Sequence, residues 1–403
     1  MRQVRALAVG ALVAGLVGVG ASSAQARVHH KPSGDPVKLM VLGSFEGQGL
    51  DFTDIPDAAK AAAAALNKQD GINGHPVKIL VCNTGIDPNK SAECARDAVD
   101  EGAIAIVGAF STDDYFDPLT KAGIPSVADY GISTGELTNP LSFPIGATAI
   151  GGTGGMGAIL ADQGADKVDV AYLDLPGGVG KLAADFTNYG LKSRGAPEAS
   201  QTPVPVGGAD LQPSVQQTSD KDPQGVALAL TDPEFSKWVV AYRQAGGKAK
   251  VAAPGSTVNP SNVKTLGDLA EGLLVSTNFK PASLKNDAGV KAMLKEINAS
   301  DKGIRLVDPS IEAWAGVHLV ADALKGQAAT DAPTLVAQLN QDKVWQTKIG
   351  PPINFSQQPP AMKTAGGLIS ALGRAFTTDV YYAKVKKGKI QAIGNKTHNF
   401  LEG

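Results

Sequence analysis

Short, near-continuous apolar runs recur along the chain, separated by longer stretches in which apolar residues return every three or four positions. The runs Val37–Gly43, Val77–Cys82, Ala103–Val107, Ile124–Ala128, Val168–Leu173 and Gly225–Leu230 read as strands buried on both faces. The stretches Pro56–Lys68, Pro88–Glu101, Val179–Leu191, Glu234–Ala245 and Pro309–Lys325 read as helices. Pro56 and Asp57 suit a first helical turn, and Gly246-Gly247 suits a helix end. Asp70-Gly71 and Asn73-Gly74 are turn pairs. Val251 and Leu273–Val275 continue the alternation, which predicts an α/β protein with parallel sheets flanked by helices. No short fixed period recurs, which argues against a solenoid. The tail departs from the pattern. Val380–Val385 and Ile390–Ile393 flank Lys386-Lys387-Gly388-Lys389 and predict a hairpin.

The N-terminus changes the picture of compartment. Arg2 and Arg5 precede an uncharged run, Ala6–Gly20, and Ala24 and Ala26 have the small-residue spacing of a cleavage site. This predicts a secretory leader over residues 1–26, with a membrane anchor as the alternative. The apolar run is short and Gly-rich, and no Cys lies near the cleavage point to carry a lipid. Of the 403 residues, 377 remain after cleavage, enough for two or three lobes. The leader carries two arginines, so the formal charge moves from −2 to −4. Such a balance gives no electrostatic case for a nucleic acid or an anionic membrane as partner. The chain has two cysteines, Cys82 and Cys94, too few for a disulfide scaffold or a Cys-rich zinc module. An oxidising compartment favours a bridge between them. The alternative, a reactive or metal-binding thiol, lacks a nearby His partner, since His75 stands on a turn.

In parallel sheets, ligands sit outside the carboxyl ends of the strands. Three of these ends are polar and Gly-rich: Gly43–Gly49, including Phe45 and Glu46; Gly108–Asp113, including Phe110, Ser111 and Thr112; and Asp129–Thr134, including Ile132 and Ser133. Their hydroxyls and backbone N–H groups suit a polar oxygen of a ligand. Ser111 and Asp113 also suit a simple helix cap.

Two motifs imitate catalysis. Gly152–Gly157 matches the G-x-G-x-x-G dinucleotide fingerprint, with Asp174 placed 22 residues beyond Gly152. The segment before it contains Pro144, which disfavours the central strand that the fingerprint requires. Gly131–Gly135 matches the G-x-S-x-G elbow of serine hydrolases, with His318 or His398 as the available base. Asn139-Pro140 leaves little room for the helix an elbow needs, and His318 lies on an apolar helical face. His29 and His30 adjoin the cleavage point, and no metal-ligand spacing occurs. No cofactor or metal is expected.

At the strand ends the chain resembles the branched-chain amino-acid-binding family of periplasmic solute-binding proteins. The residues that carry the likeness are Ala61–Asn67, Gly71–Gly74, Val77–Val81, Asp87–Lys90, Val107-Gly108, Gly123–Pro125, Gly135–Thr138 and Gly267–Gly272. The resemblance spans most of the mature chain. It implies a type I periplasmic-binding fold, with two lobes joined by a three-segment hinge that closes on a ligand. It places lobe 1 at 36–146 plus 277–376 and lobe 2 at 147–276 plus 377–403. The crossovers then fall near Phe143–Ala147, Leu274–Thr277 and Ala375–Asp379, and residues 151–157 begin the second lobe's first helix. The family's early disulfide corresponds to Cys82–Cys94. Its carboxylate anchors correspond to Ser111, Thr112, Ile132 and Ser133.

The second lobe departs from the family. The loop Asp174–Gly178, with Pro176, has no aromatic, and Pro254–Thr257, with Ser256, has no carboxylate. Thr231 and Asp232 are the substitutes. The expected function is that of an exported, non-catalytic, monomeric binding protein. It would take up a small polar solute (amino acid, amide, polyol or small acid) and dock transiently to an ABC importer permease. A secreted hydrolase using Ser133 and a ligand-sensing regulator are the other readings.

Overall fold

The computed structural model describes residues 31–47, 50–175, 178–208, 210–300 and 303–403. The expected leader, residues 1–26, and Pro176 lie outside them. Two sheets organise the chain. The first contains β1 (Val37–Gly43), β4 (Val77–Asn83), β5 (Ala105–Val107), β6 (Ser126–Val127) and β7 (Ser142–Phe143), all parallel, in the order β4-β1-β5-β6-β7. A small antiparallel ribbon, β2 (Glu46–Gly47) with β3 (Leu50–Asp51), follows β1. The second contains β8 (Val168–Asp174), β9 (Ser200–Pro205), β10 (Gly225–Ala229), β11 (Lys250–Pro254), β12 (Leu274–Thr277), β13 (Asp379–Lys386) and β14 (Lys389–Ala392). Its order is β9-β8-β10-β11-β12-β13-β14, with β13 antiparallel to β12 and β14 and to the short β15 (His398–Asn399). The predicted tail hairpin is β13–β14.

The side-chain period of two explains why the strands look continuously apolar. On β1, Leu39 and Val41 enter one core with the helices Asp54–Asn67 and Asp308–Leu324, while Met40 and Leu42 enter another with Ala95 and Leu119. Both faces are covered, so neither can be polar. The second sheet repeats this, with Val170 and Ala227 on one face and Val226 and Leu228 on the other. Ser142–Phe143 forms an edge strand ending before Pro144, where a missing N–H is tolerated.

Three connectors join the two sheets and their covering helices: after β7, after β12, and between Phe376 and β13. Near the third crossing, the structure corrects one expectation. Met362, Ile369, Leu372 and Ala375, expected in the first lobe's core, pack at the lobe boundary against the second lobe's core and Leu137. Apolar spacing shows that such a segment is buried, not against which sheet. Arg374 fastens this segment to β7. Its Nε donates to the Ser142 carbonyl at 2.6 Å, and its guanidinium lies 4.8 Å from the Phe143 ring centroid and 4.5 Å from that of Phe376. Burial lowers its pKa to about 10, opposed by the charge of Asp129.

The glycine run lies inside the helix Thr148–Asp162, not on a strand-to-helix turn, which removes the dinucleotide reading. Its physical role is close approach. A Cβ on Gly157 would stand 2.1 Å from the Thr187 carbonyl oxygen, and one on Gly155 would stand 2.0 Å from Ser276 Oγ. The facing helix, Val179–Ser193, contributes Gly190, where a Cβ would come within 1.8 Å of the Gly154 carbonyl oxygen.

Cys82, at the end of β4, is bonded to Cys94 on the helix Pro88–Asp100, with Cα atoms 5.6 Å apart. The bridge closes a loop of sequence separation 12, which in the chain-entropy model contributes about 3 kcal/mol. The Cys82→Ser, Cys94→Ala double variant is expected to lose about that much stability in urea unfolding. An unchanged midpoint would contradict it.

Candidate functional site

The carboxyl ends of β1, β5 and β6 form the first-lobe wall. Hydrogen bonds lock these ends together: Ser44 N–H to the Phe110 carbonyl at 2.8 Å, Phe110 N–H to Leu42 at 3.1 Å, and Tyr130 N–H to Ala109 at 3.0 Å. Gly43 is required here, because a Cβ would meet the Phe110 carbonyl oxygen at 2.5 Å. On this base stands an aromatic row. Phe52 and Phe110 have centroids 4.7 Å apart, and Phe110 and Tyr130 are 5.7 Å apart. Phe52 and Phe110 are half-buried, and Tyr130 is buried.

The polar groups expected on this wall are placed differently. Ser111 is buried, and its Oγ accepts from the Asp113 N–H at 3.2 Å in a local turn, while Thr112 is exposed beside it. Ser133 caps the helix Thr134–Thr138, accepting from the Glu136 N–H at 3.2 Å. In return, Glu136 Oε2 accepts from the N–H groups of Ile132 (2.7 Å) and Ser133 (3.0 Å). An internal carboxylate therefore already occupies the two amides expected to receive a ligand carboxylate. Phe45 is buried in the core, and Glu46 is exposed on the ribbon, so neither joins the aromatic row.

The second-lobe wall comes from the ends of β10 and β11. Thr231 precedes the helix Asp232–Gln244 and donates its hydroxyl to Glu234. Asp232 is held by Asn259 Nδ2 (2.7 Å) and Asn262 Nδ2 (3.2 Å). Ser256 stands close to the Tyr130 hydroxyl across the lobe boundary. Burial raises the Tyr130 pKa well above its ordinary value, reinforced by the charge of Asp308. Arg305, from the first lobe, reaches Asp232 Oδ2 at 3.4 Å. A pocket of about 220 Å³ opens between the lobes here, lined by Asp51, Phe52, Thr231, Asp232, Ser236 and Arg305 among others.

Thr231 and Asp232 are thus brought to the cleft with Phe52 and Arg305, while Phe110 and Ser256 adjoin Tyr130 behind it. Tyr130 lies in the Asp129–Thr134 loop, but it contributes a ring to the aromatic row, which hydroxyl and amide patterning does not reveal. Arg305 has no local signal, because its acidic partners stand some 250 residues earlier in the chain.

Buried carboxylates surround the hinge. Asp308, at the start of its helix, accepts from the Thr277 hydroxyl and from the Asn278 N–H at 2.9 Å, and burial pushes its pKa up to about 7. Asp129, bonded to Ser142 Oγ, is also pushed up to about 7 by burial. Burial, then the nearby Asp129 charge, raises Glu136 and Glu312 well above the carboxylate range. The amides of Ile145 and Gly146 lie near Glu312, but neither closes a hydrogen bond of good geometry to it.

A hydrolase triad does not assemble. His318 Nε2 is bonded to Glu296 at 2.7 Å, and His398 stacks on Tyr382 at 4.0 Å, so neither serves Ser133. Among the described residues, no group of three or more His, Cys, Asp or Glu side chains is placed to hold a metal.

The architecture and cleft agree with comparison to known proteins. A family model described as periplasmic binding protein matches residues 36–389. The chain belongs to this family. A leucine-, isoleucine-, valine-, threonine- and alanine-binding protein of Pseudomonas aeruginosa is 22% identical over 333 residues, covering 78% of this chain and 85% of that protein. A solute-binding protein of an ABC transporter from R. palustris, solved in complex with 4-hydroxybenzoate, superposes with a TM-score of 0.72 at 21% identity, covering 91% of this chain and 97% of that one. A fatty acid ABC transporter substrate-binding protein from Thermomonospora curvata gives a TM-score of 0.74 at 16% identity, covering 92% and 94%. This binding protein therefore has the type I periplasmic-binding fold of two lobes and a three-segment hinge. It is a solute-binding protein of the kind that serves ABC importers. No helix among the described residues is long and apolar enough to cross a membrane.

Proposed function

We propose that this binding protein is exported, captures a small polar organic solute between its lobes without transforming it, and passes it to an ABC importer permease. The observation that carries the reading is the pairing of walls. Phe52, at the end of the aromatic row Phe52–Phe110–Tyr130, lines a cleft with Thr231 and Asp232 of the second lobe, and Ser256 stands close to Tyr130. Stacking supplies apolar contact, and a few directional groups fix orientation. Ser111, Ile132 and Ser133 shape the loops beneath, with polar groups already bonded internally, whereas Thr112 is exposed. The occupied amides weigh against a ligand whose carboxylate relies on Ile132 and Ser133. The relatives' ligands, leucine, isoleucine, valine, threonine and alanine in one and 4-hydroxybenzoate in another, support a small organic solute with an apolar part.

A thermal-shift screen of the mature protein against amino acids, amides, polyols and aromatic or aliphatic acids tests this. A true ligand at 100 times its Kd is expected to stabilise by about 2.7 kcal/mol. Phe110→Ala is expected to abolish that rise. If no solute in the panel raises the melting temperature, the reading fails.

A further inference from the structure

We propose that Arg305 and Asp232 form a latch between the lobes that sets how far the empty protein stays closed. Both halves are built before they meet. On the first lobe, Asp54 is almost fully buried at the start of its helix, and its two carboxylate oxygens take different groups of one residue. Oδ1 accepts the Arg305 backbone N–H at 2.6 Å, and Oδ2 accepts the guanidinium Nε–H. Asp51 takes Nη2 through its carbonyl oxygen and its carboxylate. The remaining arm, Nη1, is thereby aimed at the second lobe. There, Asp232 is held by Asn259 and Asn262, which donate to both of its oxygens. The fork of one guanidinium serves three carboxylates, a geometry that an ammonium does not reproduce.

The contact that crosses between lobes, Nη1 to Asp232 at 3.4 Å, is longer than the 2.6 Å backbone bond on the first-lobe side. Opening would break the crossing contact and leave Arg305 anchored to Asp54 and Asp51. The pair is 22% and 26% exposed, so it forms without full desolvation of either charge and remains open to screening by salt. Arg305 is thus a positioning residue. It touches the cleft's edge and acts on affinity through the population of the closed state. That effect on affinity rests on the solute-binding reading above, whereas the latch itself does not.

Small-angle X-ray scattering of the ligand-free mature protein tests the latch without knowledge of the solute. The wild type is expected to be compact in low salt and to expand as NaCl is raised. Arg305→Gln and Asp232→Asn are each expected to give the larger radius of gyration at low salt and to lose the salt response. Asp232→Asn leaves the Arg305–Asp54 anchor intact, which separates the latch from first-lobe stability. Arg305→Lys, retaining charge without the fork, is expected to restore only part of the compaction. A wild-type profile in either neutral variant, at both salt concentrations, would overturn the proposal. Any solute that stabilises the wild type is expected to bind each neutral variant about tenfold more weakly.

Discussion

Replacing Asp169 by alanine is expected to destabilise the protein by about 3–5 kcal/mol, the usual range for removing one partner of a buried charged pair. Asp169 lies on β8 with no exposed surface, yet it carries a full set of partners. Its oxygens accept from Ser200 Oγ (2.7 Å), Thr202 Oγ1 (2.7 Å), Thr218 Oγ1 (2.8 Å) and Lys221 Nζ (2.8 Å). Alanine would leave three hydroxyls and an ammonium around an apolar methyl. Lys221 would keep the Gln201 carbonyl and the Thr202 hydroxyl, so the loss is partial at that end. Asp169→Asn retains an acceptor and is expected to lose less than alanine. The network gathers around the second residue of β8, whose carboxyl end is the one that points to the cleft. The folded fraction of Asp169→Ala is therefore expected to bind solute with unchanged Kd. Urea unfolding and ligand titration check the two halves. An alanine variant within 1 kcal/mol of wild type would show that the network is not a source of stability.

The second large effect is a fall in melting temperature as pH rises from 5 to 8. Asp308 and Asp129 have folded-state pKa values of about 7, raised by burial, against roughly 3.9 in an unfolded chain. Between those values the folded protein holds a proton that the unfolded chain has released. The resulting stability is fully present below the unfolded value and is lost as pH passes through 7. For Asp308 alone the whole span corresponds to on the order of 4 kcal/mol, of which about 3 kcal/mol falls between pH 5 and 8. Glu136 and Glu312, also raised, act in the same direction. His398, lowered by burial, opposes them over part of the window but is one partly exposed ring. Asp308→Asn is expected to be less stable at pH 5, since its amide nitrogen, unlike the oxygen of the acid O–H, cannot also accept from the Thr277 hydroxyl or the Asn278 N–H. Its melting temperature should nevertheless fall less steeply towards pH 8. Parallel profiles for the two proteins would mean that Asp308 does not titrate in this range.

Much of the architecture is legible in the amino-acid pattern because burial on both faces of a parallel strand leaves an unmistakable run, as Val37–Leu42 does. The tail hairpin is equally legible from its Lys-Lys-Gly-Lys turn. The site is less so, for identifiable reasons. Ser133 and Glu136 stand three apart as a capping box, and that spacing is readable in advance. It implies that the Ser133 amide is committed inward to Glu136 although it stands at a strand end. Phe45 and Phe52 look alike as loop aromatics after β1. Only the course of the ribbon decides that Phe45 turns into the core while Phe52 meets Phe110. Arg305 is beyond any local pattern, because Asp51, Asp54 and Asp232 converge on it only after two lobes have formed.

The three passages of the chain between lobes carry a mechanical consequence. One connector would let two bodies swivel, tilt and slide against each other. Three connectors lying side by side suppress sliding and twisting and leave rotation about the line through them. The lobes then behave as a door on a common axis, and each approach brings the same residues opposite one another. A solute need not select one register among many, so less of its binding energy is consumed in aligning the walls.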